Sequence, residues 1–206
     1  MKTTLLLLIL GLAGLLAFHA AAGQEQLAGS IRDARVETAR TADQLKSTLA
    51  TLTALTKQTQ GDLRPAYDAF AHEVANTEAA AAWTGTRVKW MATDGRQYFA
   101  DWQRNLDGIA NASLRKQAQK RLDAARLSYD KVEKSLIQAD AKFKPFLSDL
   151  ADIRKALAND ITPGGVRAVR GTVRSANFNH QFVNQSVAAA LREMDRMAKA
   201  LSSEAK

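Results

Sequence analysis

Three groups of residues in this chain have types and spacings that could do chemistry. His180 stands with Asn177 three positions before it and Asn184 four after, so all three share one stripe if the segment is helical. Such a stripe can be a buried polar layer that fixes helix register, or it can hold a ligand. The register role is preferred, because the spacing offers a metal no second histidine. His72 sits beside Glu73 and reads as solvated, and the Glu-x-x-His pairs of a di-iron bundle do not occur. The second group is cationic. Arg167, Arg170 and Arg174 recur at one-turn intervals, and Arg154 with Lys155 lies across a corner at Thr162. If that corner closes a helical hairpin, five cations gather at one end as an anion-binding tip; the plain alternative is a solvated charged face. The third group, Asp149, Asp152 and Asp160, clusters near a helix end, where paired acids are ordinarily surface. Nothing else supports catalysis: the chain has no Gly-x-Ser-x-Gly elbow, no phosphate loop and no cysteine. A non-enzymatic protein is expected, with no catalytic residue, no metal and no cofactor.

The elements that must position these groups are long helices. From Ala118 through Leu122, Ala125, Tyr129, Val132, Leu136, Ala139, Phe143, Phe146, Leu150 and Ile153 to Leu157, apolar residues step alternately by four and three. That is a heptad seam, and its single apolar stripe needs other helices to cover it. A second seam runs from Leu63 to Met91 and keeps its phase through Gly95 to Tyr98 and Trp102, so one helix is expected to cross the Asp94-Gly95 pair. A third, from Val166 to Leu201, is equally regular and carries His180. The seam from Ile31 to Leu52 is interleaved with threonines and is wetter. Caps are expected at Asp62, at Asn111 or Ser113, and at Thr162 ahead of Pro163; Pro145 falls inside the third helix. The spacing predicts helices over about 26–57, 63–107, 113–158 and 163–201, joined by short corners. The fold class is all-α: one elongated antiparallel four-helix bundle built like long coiled-coil hairpins, a single domain over 23–206. Trp83 and Trp90, seven apart, share one stripe as a core flank or as a partner-docking strip.

Composition sets the compartment. Lys2, the greasy run Leu5–Ala17 and the small residues Ala20–Ala22 read as a signal peptide over 1–22 with cleavage near Ala22, and an uncleaved membrane anchor is the rival. The absence of cysteine closes the lipoprotein, disulfide and covalent-haem routes. A periplasmic or secreted location follows as the expectation. Without Lys2 the chain keeps 28 basic and 21 acidic side chains, a net charge of +7. Outside the cytoplasm that excess points away from nucleic acid and toward an anionic membrane surface or wall polymer.

Two stretches have the wording of a known family. They are Tyr98-Phe99-Ala100-Asp101-Trp102, followed by Leu114-Arg115 and the basic run to Arg121, and Phe143-Lys144-Pro145-Phe146-Leu147-Ser148-Asp149-Leu150, followed by Leu157-Ala158-Asn159-Asp160-Ile161-Thr162-Pro163. Together they resemble the uncharacterised bacterial family called domain of unknown function 2959. The resemblance covers most of the chain after the leader, implies an exported, helix-rich protein and brings no catalytic or binding residue with it. The expected role is that of an envelope scaffold or interaction module, with an unidentified protein partner or self-association along leftover apolar strips. The alternative is a binder of anionic lipid head groups or wall polymer through the basic bundle end.

Overall fold

The computed structural model describes the backbone of residues 3–58 and 60–204 and the side chains of residues 22–58 and 60–202. The segment 1–22, expected to be a signal peptide, lies almost wholly outside the described side chains. The described residues form four helices: α1 (Thr3–Lys57), α2 (Arg64–Asp107), α3 (Ala112–Asn159) and α4 (Pro163–Glu204). Among the described residues there is no strand, and no helix is long and apolar enough to cross a membrane. The class is the all-α, four-helix one that the seams imply. The bounds of α2, α3 and α4 fall within three residues of those that the spacing predicts, whereas α1 begins at Thr3, well ahead of the expected start near residue 26.

The corners are capped by local chemistry. Gly61 takes φ 79° between α1 and α2, where a side chain would be strained, and Asp62 Oδ1 accepts from the Arg64 amide at 2.9 Å. Asn111 caps α3, its Oδ1 accepting from the Leu114 amide at 3.1 Å. α3 then runs unbroken through Pro145. One lost backbone hydrogen bond is outweighed by the buried Phe146 and Leu150 on the same helix.

Packing sorts the chain into two compact units, each taking a segment from every helix: Met1–Ala34, Arg87–Glu133 and Glu193–Lys206 form the first, Arg35–Thr86 and Lys134–Arg192 the second. The sequence reads as one domain because the heptad phase carries no mark at either boundary.

In the first unit Leu27 and Ile31 of α1, Met91 and Phe99 of α2, Leu122 and Tyr129 of α3, and Met194 and Met197 of α4 are buried together. Its distinctive contact is at Gly95. A Cβ there would lie 2.4 Å from Cζ of Tyr129, so only glycine leaves room for the ring. The Tyr129 hydroxyl passes over that gap and donates to the Met91 carbonyl at 3.1 Å. Phe99 packs edge-on to Tyr129, and Tyr98 edge-on to both Phe99 and Trp102. Burial, and then the Glu133 carboxylate, push the Tyr129 phenol well above its usual range, so it stays a donor.

The second unit has an apolar core drawn from all four helices, including Leu45, Leu52, Phe70, Phe146, Ile153 and Val173. Its α1–α2 seam is the wet one. Thr48 and Thr77 are fully buried with their hydroxyl oxygens 2.8 Å apart, and Thr41 and Thr84 meet at 2.9 Å. Both buried hydroxyls also reach backbone carbonyls one turn back, Thr77 to Glu73 at 3.0 Å and Thr48 to Gln44 at 3.1 Å. No hydroxyl of this buried pair is left without a partner, which is what lets a threonine-rich stripe serve as a seam.

Candidate functional site

The cationic group is positioned by the corner into α4. Thr162 is the N-cap, its Oγ1 accepting from the Gly165 amide at 3.2 Å while its carbonyl receives the Val166 amide at 3.0 Å. Pro163 follows as the first helical residue, as its fixed φ favours. Thr162 Oγ1 donates in turn to Asp160 Oδ1 at 2.6 Å, and Gly165 packs so closely on the Asp160 carbonyl that no side chain would fit. Val166, Val169, Val173 and Ala176 then turn inward to the core, which leaves Arg167, Arg170 and Arg174 exposed.

The structure does not bring all five expected cations together. Arg154 is half-buried and turned toward α2, where its guanidinium grips Glu78 with Nη2–Oε1 at 3.0 Å and Nη1–Oε2 at 3.2 Å. The Tyr67 hydroxyl donates to the Arg154 carbonyl at 3.3 Å on the same side. Arg154 therefore joins helices and is not offered to a ligand. Lys155 is exposed and pairs with Asp152, one turn back on its own helix, at 3.5 Å. Arg167, Arg170 and Arg174 make no ion pair with any described carboxylate. The expected five-cation tip is thus corrected to a three-arginine face of α4.

That face continues past the arginines. Phe178 and Phe182, at further four-residue steps, are 60% and 42% exposed and pack edge-on to each other with ring centroids 5.2 Å apart. At about 100° per residue, Arg167, Arg170, Arg174, Phe178 and Phe182 fall within an arc of about 120°, over about 22 Å of helix. Gly171 lies in the same arc, and a Cβ there would meet nothing within 4 Å.

The polar stripe is also narrower than its spacing implies. His180 is half-buried, with its ring 5.9 Å from that of Phe146 and Nδ1 3.4 Å from Asn184 Nδ2. Its Nε2 is buried with no hydrogen-bond partner. Burial, then the Lys46 ammonium, lower its pKa from 6.5, so the ring is neutral at pH 7. Asn177 is exposed. It projects about 60° from His180, and Asn184, about 40° to the same side, is half-buried and reaches the ring, so the layer comprises His180 and Asn184. The two tryptophans stand half-exposed, Trp83 at 55% in the second unit and Trp90 at 50% in the first, where the Arg87 guanidinium lies 4.8 Å over the Trp90 ring.

A family model for proteins of unknown function, DUF2959, matches residues 21–201. The chain belongs to the DUF2959 family. No curated protein and no solved structure matches it. Family membership therefore brings no activity to this DUF2959 member, and its function rests on its own surface. Sequence reasoning passed over Phe178 and Phe182 because they lie off the heptad seam. The available signal was the four-residue step that links them to Arg170 and Arg174.

Proposed function

We propose that this DUF2959 protein is a non-catalytic interaction module of the cell envelope that binds anionic material through the exposed face of α4. One observation carries the reading. Residues 163–192 hold four arginines and neither aspartate nor glutamate, and all four are exposed without an ion-pair partner, Arg167, Arg170 and Arg174 among them. A helix face with one sign of charge is an electrostatic footprint for a partner of the other sign. The leader composition supports an exported location, where anionic lipid head groups and wall polymers are the abundant polyanions.

Co-sedimentation of the full chain with purified envelope fractions across a salt series tests this. Retention should fall steeply between roughly 0.1 and 1 M salt, as the screening length shrinks from about 10 to 3 Å. It should also be lost when Arg167, Arg170 and Arg174 are all changed to Gln. Retention that ignores both salt and these changes would reject the reading. A self-associating scaffold is the second reading, and the half-exposed Trp83 favours it. A sedimentation mass that rises with protein concentration would support it.

A further inference from the structure

The Arg167-to-Phe182 face of α4 has a composition that selects among anionic partners. Rests of single exposed apolar residues are ordinary on a protein surface, and Val36, Leu114, Leu127 and Ile137 are of that kind. Phe178 and Phe182 differ because they pack edge-on to each other, are exposed, and lie on the same face as three arginines that make no ion pair. A hydrophilic polyanion such as a wall polymer satisfies the arginines and leaves both rings in water. An anionic bilayer offers the two halves of this face their two phases: phosphates at the surface for the guanidiniums, and the head-group and acyl boundary for the rings. Gly171, with open space around it, bares the helix backbone between Arg170 and Arg174 and lets a head group come close.

We propose, on the strength of the anion-binding reading above, that the ligand of this face is the surface of an anionic phospholipid bilayer. α4 lies against it with Arg167, Arg170 and Arg174 at the phosphates and Phe178 and Phe182 inserted below them. The charge complementarity attracts the face, and the phenylalanines give the complex a component that salt does not remove.

Gln181 lies exposed between the two rings in sequence, and the chain has no cysteine, so Gln181→Cys supplies a unique attachment point for an environment-sensitive dye. The labelled full chain is titrated with vesicles of acidic phospholipid, with vesicles of neutral phospholipid and with inorganic polyphosphate. A second label at the exposed Ala79 of α2 (Ala79→Cys) serves as the control. The dye at 181 should report an apolar environment with acidic vesicles alone, and the dye at 79 should stay silent. Changing the three arginines to Gln should weaken the response about a hundredfold, at roughly fivefold for each cation near an acidic surface. Changing Phe178 and Phe182 to Ser should weaken it about tenfold and make the remainder fully salt-sensitive. Circular dichroism of each variant confirms its fold. A silent dye at 181, an equal response to neutral vesicles, or a serine variant that binds vesicles like its parent would overturn the bilayer assignment. If the arginine variant loses polyphosphate and the serine variant loses nothing, the anion reading survives and the bilayer assignment fails. If the arginine variant loses nothing, both fail together.

Discussion

Two glycines in the middle of long helices, one in each unit, have opposite surroundings. Gly95 of α2 is buried, and a Cβ there would collide with the Tyr129 ring at 2.4 Å. Gly171 of α4 is exposed, and a Cβ there would meet nothing within 4 Å. Both give up helix propensity, about 1 kcal/mol relative to alanine. At Gly95 the loss is offset by a buried aromatic and by the hydrogen bond from Tyr129 to Met91. At Gly171 no packing offsets it. A glycine that packing requires marks a joint of the core; Gly171, like Gly85 of α2, is not required by packing.

The largest expected effect comes from closing the joint. Gly95→Ala should lower stability by about 1–3 kcal/mol, since the methyl evicts the Tyr129 ring and the gain in helix propensity recovers only part of the cost. Urea unfolding followed by circular dichroism measures it. In a Tyr129→Ala background the same change should cost nothing or stabilise, because the obstacle is gone. A full penalty in that background would show that the ring is not the cause. The wet seam of the second unit provides a polar counterpart. Thr48→Val removes one hydroxyl of a buried pair and should cost about 1 kcal/mol. The double change with Thr77→Val should cost less than the sum of the singles, since two apolar groups of the same shape then face each other.

Gly171→Ala should go the other way and stabilise the protein by about 0.5–1 kcal/mol. Changing Arg167, Arg170 and Arg174 to Gln should leave stability within about 0.5 kcal/mol, as expected for exposed side chains without ion-pair partners. Glu78→Gln, by contrast, breaks the half-buried pair with Arg154 and should cost up to about 1 kcal/mol, reduced by solvent screening. A loss on removing the three arginines as large as that on removing Glu78 would mean that they serve the fold, which would erase the contrast between joint and open face.

The fold was legible where a repeating signal exists. The seam positions Leu122, Tyr129, Val132, Phe146, Leu150 and Ile153 of α3 are all buried, because each must face the same side for its helix to be covered at all. What was not legible depends on contacts between distant positions. Asp94-Gly95 reads locally as a turn signal, and only Tyr129, 34 positions on, reveals why a glycine stands in an unbroken helix. Arg154 reads as one more cation near a corner, and only Glu78 shows that it is spoken for. The stripe at His180 was legible in type but not in width, since Asn177 and Asn184 hold the same heptad position and yet one is exposed and the other half-buried.

His180 gives the smallest effect and the one that titrates. Its pKa is lowered from 6.5 in the folded protein by burial and by Lys46, and it returns to about its ordinary value when the chain unfolds. The folded state therefore binds this proton more weakly than the unfolded state. Its contribution to stability is fully present above about pH 6.5 and is lost as pH falls through the lowered folded value. The unfolding midpoint should decline as the pH is taken from 7.5 to 5, and His180→Gln, which keeps polar atoms but cannot titrate in this range, should flatten that slope. The groups near the ring do not confound the test. Asn184, the side chain that reaches the ring nitrogen, carries no charge. An unchanged slope in the His180→Gln variant would place the acid sensitivity elsewhere and leave the unpartnered Nε2 as a packing feature alone.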